Sequence, residues 1–219
     1  MADSYRAPVA VITANDHSAW ISICNTFGLT VILSTLCVRL YIRVRVSPPF
    51  STDDFTFIGG TALAIVQVGL VFAQINAGFG KAIDQISEPN LVKVQQFGYA
   101  SDILFVAALY GSKCCVVLFF KRISPSRANA TMTKIVLSAC LAFALASIMM
   151  ISLRCNLAAP WLQYRQTCTG LNARWEAVAV LDIVSEVALF AMSLHLVWDL
   201  QTSITRKSKV VFAFALRLL

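Results

Sequence analysis

A backbone amide in hydrocarbon has no water to bond, so a chain that crosses a bilayer is confined to helices or a closed barrel. This sequence meets that constraint five times. Residues 20–42, 55–76, 97–120, 135–153 and 177–198 are apolar stretches about as long as the roughly 20-residue helix that a hydrocarbon layer of about 30 Å requires. A sixth stretch, 210–219, is ten residues long where the chain ends. Ten-residue segments of alternating polarity, the mark of a membrane barrel, are absent. Charged residues make up 13% and the mean hydropathy is +0.73, whereas soluble domains carry about 25% charge. The expected fold is therefore an all-α, polytopic transmembrane bundle. It has five full spans and an incomplete sixth in a single membrane domain, 1–219, whose surrounding partner is a lipid bilayer.

Charge placement predicts an orientation. Arg39, Arg43, Arg45, Lys121, Arg122, Arg127, Lys134, Arg206, Lys207 and Lys209 gather at one set of loops. Arg6, Lys81, Lys93, Arg154, Arg165 and Arg174 lie at the other. By the positive-inside bias the richer set is cytoplasmic and the N-terminus extracellular or lumenal, in a plasma membrane or endomembrane. The net charge of +7 is thus a topology signal, and no nucleic-acid partner is needed to explain it. The first stretch is too long for a signal-peptide core and is preceded by Asp3 and Asp16, so it is expected to be an uncleaved anchor. The sequon Asn129-Ala130-Thr131 falls in an expected cytoplasmic loop and is expected to be unmodified.

Of seven cysteines, Cys24, Cys37, Cys114, Cys115 and Cys140 lie within stretches, where they act as small apolar residues. Cys155 and Cys168 bracket the fourth loop, on the expected oxidising side, and are expected to form a disulfide; two free thiols are the alternative. No Cys/His spacing suggests a metal.

The connections carry ordinary structural signals. Ser47-Pro48-Pro49 ends the first helix. Thr52-Asp53-Asp54 reads as a helix start, with acid at the positive end of the dipole. Gly78-Phe79-Gly80-Lys81 reads as a glycine turn after a helix, too short and wrongly flanked for a phosphate loop. Residues 87–96 are expected to form a brief interfacial helix beginning at Glu88-Pro89. Trp161, Tyr164 and Trp175 are expected interface anchors.

Ionisable groups inside spans are costly and are functional candidates by default. Here they are Asp102 and Lys113 in the third stretch and Asp182, Glu186 and His195 in the fifth. Asp182 and Glu186, four apart, share a helix face. Asp102 and Lys113 share a face too, but lie about 16 Å apart along the axis and cannot pair. Both stretches run from outside to inside, which places Lys113 below Glu186, within reach of it if the third and fifth helices are neighbours. An interior polar seam of Asp102, Tyr110, Lys113, Asp182 and Glu186 is expected. It would serve as a structural ion pair, a pocket for a small-molecule ligand with a switching role, a conduction path or a catalytic centre.

Several of these segments, taken in order, resemble the fungal rhodopsin-domain integral membrane proteins. These include the satratoxin-cluster membrane protein family and seven-span receptor-like proteins of filamentous fungi. The segments are Arg39-Leu40-Tyr41-Ile42-Arg43 with Asp53-Asp54, Gly78-Phe79-Gly80-Lys81, Tyr110 with Lys113 and Lys121-Arg122-Ile123, and Cys155, Pro160-Trp161 and Cys168. Leu181-Asp182-Ile183-Val184-Ser185-Glu186, 196–201, and Lys209, Phe214 and Arg217 complete the series. Ser193 stands where that family usually has proline. The resemblance implies a receptor-like topology lacking helix seven, a C-terminally truncated chain, and a sixth-span Arg217 whose partner lies in the absent sequence. In retinal-binding rhodopsins helix seven carries the Schiff-base lysine, so no retinal, and no other cofactor, is expected. The functions implied are a sensor with a cytoplasmic signalling partner or a protein associated with a secondary-metabolite cluster, with no enzymatic reaction assigned. The alternative is a small polytopic membrane enzyme, similar to a terpene cyclase, that uses buried carboxylates. Paired helix interruptions that would mark a transporter are absent.

Overall fold

The computed structural model describes residues 13, 16–45, 50–123, 127–153, 160–161 and 171–199. Five long helices carry nearly all of them: α1 (Ser18–Arg45), α2 (Thr52–Asn76), α3 (Glu88–Ile123), α4 (Arg127–Ser152) and α5 (Leu171–Asp199). All five are long and apolar enough to cross a membrane, with mean hydropathies from 1.9 to 2.4. No strand occurs among the described residues. The fold is the all-helical membrane bundle that the apolar stretches require. The short sixth stretch, 210–219, lies outside the described residues.

Helix α3 is the hub. It packs against α2, α4 and α5, α4 also meets α5, and α1 packs on α2 while standing off α3. The dry core lies on the α3–α5 side. Val106 and Tyr110 of α3 meet Ile151 of α4 and Val178 of α5, and Trp175 packs against them. A second cluster joins Phe120 to Met192. Trp175, half-buried near the start of α5, packs one side against this cluster. On α1 only Ala19 and Arg43 are buried, while Trp20, Phe27, Val38 and Tyr41 are exposed, as suits a helix whose solvent is lipid. Its hydroxyls are satisfied within the helix: Thr26, Thr30 and Ser34 donate to the carbonyls of Ser22, Thr26 and Thr30. That is how an exposed hydroxyl avoids an unmet bond in hydrocarbon.

The helices run past the apolar stretches. No separate interfacial helix occupies 87–96; α3 begins at Glu88 and continues unbroken to Ile123. Pro89 falls in the first turn, where its missing N–H costs nothing. Gln74 Nε2 of α2 donates to Val94 O, and a Cβ on Gly98 would lie 2.6 Å from that nitrogen, so a glycine lets α2 and α3 close together there. The sequon is not in a loop either. Asn129 is buried within α4 and its carbonyl accepts the Thr133 hydroxyl.

The glycine turn after α2 is as expected. Phe79 N donates to Gln74 O and Gly78 N to Ile75 O, with Gly78 at φ 113°, a Schellman arrangement. Gly80, at φ 95°, accepts the His17 N–H at 2.8 Å and ties this turn to the start of α1. There Asp16 Oδ1 accepts the Ser18 N–H at 2.9 Å. Hydrogen bonds from Ser18, side chain and backbone, hold the Asp16 carboxyl below its ordinary value.

Candidate functional site

Two polar centres share α3. The deeper one lies where α3 meets α5. Lys113 is wholly buried, which no lysine tolerates in a dry interior without anionic and hydrogen-bonding partners. Its Nζ lies 2.6 Å from Asp182 Oδ1 and 3.3 Å from Glu186 Oε1. It donates to Ser185 Oγ at 2.6 Å and to the Asp182 carbonyl at 2.8 Å. The Asp182 Oδ1 contact is a close charge pair outside hydrogen-bond alignment, and that oxygen is buried without a hydrogen bond. Ser185 in turn donates to Asp182 O at 2.7 Å. One turn of α5 thus supplies three side chains and a carbonyl to one ammonium, because positions 182, 185 and 186 share a helical face.

Tyr110 sits one turn before Lys113 on α3. Its ring centroid is 5.3 Å from Lys113 Nζ, within cation–π range, and its Oη accepts the Ser147 hydroxyl of α4 at 3.4 Å. The centre therefore touches three helices. Asp182 and Glu186 keep 29% and 17% of their side-chain surface exposed, so the carboxylates open outward while the ammonium is sealed in.

Of the five residues expected to form the seam, the structure brings four together: Tyr110, Lys113, Asp182 and Glu186. Asp102 stands apart, half-buried and three turns back along α3. That is the axial separation expected from the eleven residues between it and Lys113. Ser185 and Ser147 belong to the centre, and nothing in their sequence spacing marks them; only position 185 on the acidic face of α5 is a signal.

The second centre lies where the ends of α1, α2 and α3 meet. Asp53 and Asp54 are 1% and 2% exposed, and both are clamped by two arginines one turn apart on α1. Arg39 reaches Asp53 Oδ2 through Nη2 at 2.9 Å and Asp54 Oδ1 through Nε at 3.2 Å. Arg43 repeats the pattern at 2.9 and 2.7 Å. Arg122 of α3 adds charge contacts at 3.7 and 3.8 Å. Arg39 also stacks 4.5 Å over the Phe57 ring, and Cys115 of α3 lies 3.4 Å from Asp53 O.

The expected helix-start role is present: Ser51 is the N-cap and its N–H donates to Asp54 Oδ2 at 3.1 Å. The larger fact is an ion cluster of three guanidinium groups and two carboxylates across three helices. Local explanations for each charge hid it. Arginines spaced four apart before an acid pair, with one short loop between them, were the available signal.

Cys155, Cys168 and Arg217 lie outside the described residues. The described cysteines are free thiols, with Cys114, Cys115 and Cys140 buried. Among the described residues no group of three or more His, Cys, Asp or Glu side chains could hold a metal ion. The fungal rhodopsin domain family model matches residues 38–219, a span that contains both centres. No curated protein and no solved structure matches the chain.

Proposed function

Because the chain belongs to the fungal rhodopsin domain family, we propose that it is a receptor-like membrane protein whose switch is the Lys113 lock between α3 and α5. The observation that supports this is an ammonium sealed from solvent, facing two carboxylates that are partly open. A small molecule with a polar head, or a proton, reaches the carboxylates from their open side and competes with Lys113 for them. Losing either contact weakens the α3–α5 junction. A ligand that binds the open arrangement better shifts the population toward it. The positive-inside bias puts the basic helix ends, with the Arg39–Asp53 cluster, in the cytoplasm, where a signalling partner would read the change. The N-terminus is then extracellular or lumenal.

The enzyme reading places the same carboxylates in a proton-donating role. Lys113 occupies their inner side, so a hydrocarbon substrate would have to displace a buried ammonium to reach them. That favours the sensor.

The test places spin labels at Phe119 of α3 and His195 of α5, both exposed, in full-length chain reconstituted in nanodiscs. The inter-label distance is measured from neutral to mildly acidic pH and with a panel of fungal secondary metabolites. A change in the parent chain that disappears in Glu186→Gln is the expected result. A distance unmoved by protons and by every metabolite would mean that the lock only holds the helices together, and the sensor reading would fall.

A further inference from the structure

The second centre carries an inference independent of the sensor reading. Its formal charge is +1, from three guanidinium groups against two carboxylates. Arg39 and Arg43 each engage the aspartates through Nε and Nη2. A guanidinium has five N–H donors, so the Nη1 group of each lies outside that clamp.

Both arginines line a groove of about 590 Å³ between α1 and α3, which exists because α1 packs on α2 and stands off α3. Its other walls are Ser34, Thr35, Val38, Ile42 and Phe119. The Ser34 and Thr35 hydroxyls are turned onto Thr30 O and Val31 O of their own helix at 2.7 and 3.0 Å, so the walls are apolar in effect. Val38, Ile42 and Phe119 are 58%, 44% and 39% exposed, so the groove opens sideways, toward lipid. Its size is within the range of small-molecule sites, roughly 300–1,000 Å³. Arg39 lies six residues before the end of α1, about 9 Å along the axis. Arg45, Lys121 and Arg122 surround that end. The basic heads are therefore at the level of lipid phosphates, and the apolar walls run inward from them.

We propose that this groove binds an anionic glycerophospholipid, its phosphate on the Nη1 groups of Arg39 and Arg43 and an acyl chain along Val38, Ile42 and Phe119. Guanidinium is the side chain best shaped for phosphate. Basic pockets between membrane helices recognise acidic headgroups. A free anion would satisfy the arginines but leave the apolar walls without a partner.

Full-length chain is placed in nanodiscs of phosphatidylcholine alone and of phosphatidylcholine with phosphatidylserine. Thermal stability and the phosphatidylserine retained after detergent exchange are measured. Phosphatidylserine should stabilise the parent chain and be retained. Arg39→Gln should weaken retention about fivefold. Ile42→Trp, which fills the groove and leaves the ion cluster untouched, should remove both effects. Lys121→Gln, outside the groove, should keep both. Inorganic phosphate added to phosphatidylcholine discs should not reproduce the stabilisation. The proposal is overturned if phosphatidylserine has no effect, if its effect survives Ile42→Trp, if Lys121→Gln loses as much as Arg39→Gln, or if inorganic phosphate suffices.

Discussion

Replacing Lys113 by methionine tests the deeper centre most directly. The change nearly conserves volume and removes one charge from a site with no exposure. At an effective dielectric constant of about 20, a unit charge attracts opposite charges at 2.6 and 3.3 Å by about 6 and about 5 kcal/mol. Desolvation, at several kcal/mol per ion, offsets most of that gain, so the gross figures do not measure stability. The asymmetry between partners does. Without Lys113, Asp182 and Glu186 are two like charges one helical turn apart with their shared cation gone. Removing one member of a buried pair costs about 3–5 kcal/mol, and partial exposure of the carboxylates places this case near 3. Without the Glu186 charge, Lys113 keeps Asp182, the Asp182 carbonyl and Ser185. The loss is then that of one charged contact, about 1.5 kcal/mol.

Thermal unfolding of the full-length chain in nanodiscs reads these costs. For a chain of this size about 1 kcal/mol moves Tm by roughly 2–4 °C. Lys113→Met should therefore lower Tm by roughly 6–12 °C and Glu186→Gln by roughly 3–6 °C. The triple variant Lys113→Met, Asp182→Asn, Glu186→Gln should recover to within about 1 kcal/mol of the parent, since a neutral site has no stranded charge. A Lys113→Met chain as stable as the parent, or a carboxylate variant costlier than the lysine variant, would refute the assignment of Lys113 as the hub.

In the second centre Arg43, at 10% side-chain exposure against 27% for Arg39, should be the costlier loss. Arg43→Met is expected to cost about 3 kcal/mol and Arg39→Met about 1, by the same unfolding assay. Gly80→Ala places a Cβ 2.8 Å from Ser18 N at a positive φ. It should cost about 2 kcal/mol and remove hydrogen-exchange protection from the first turn of α1. Orientation is checked by Asp84→Cys and Phe50→Cys in a cysteine-free background. An impermeant maleimide should label position 84 on intact cells and position 50 only after permeabilisation.

The five helices were legible because the length of an apolar run is dictated by the thickness of the solvent it crosses. Their ends were not. The first turns of α3, α4 and α5, containing Lys93, Lys134 and Arg174, are polar enough to read as loop, and helix propagation through them needs no apolar face. The Lys113–Glu186 contact was legible because intramembrane charge has few ways to be satisfied and axial rise fixes depth. Asp102, three turns from Lys113 on the same helix, lies outside that contact. The arginine cluster was illegible for the opposite reason. Near a membrane end each charge has an adequate local explanation, as topology signal or helix cap, and only the fold shows that 39, 43, 53, 54 and 122 converge.

The two centres differ in what they demand of α3. The cluster at its end ties α3 to α2 through Arg122 and α2 to α1 through charges that are paired twice over, and Asp54 doubles as the first-turn acceptor of α2. Breaking any one contact there leaves others in place. The lock at Lys113 is the reverse: one ammonium draws Asp182, Ser185 and Glu186 of α5 onto α3, and the apolar clusters on either side of it are small. Ten residues, about 15 Å, separate Lys113 from the end of α3, so a small tilt of α5 about the lock moves its end further than its middle. Helix α5 is also tied to α4, where Arg174 donates to the Met150 carbonyl at 3.4 Å, so on the sensor reading a competitor for Asp182 or Glu186 would loosen α5 from α3 while its hold on α4 remains.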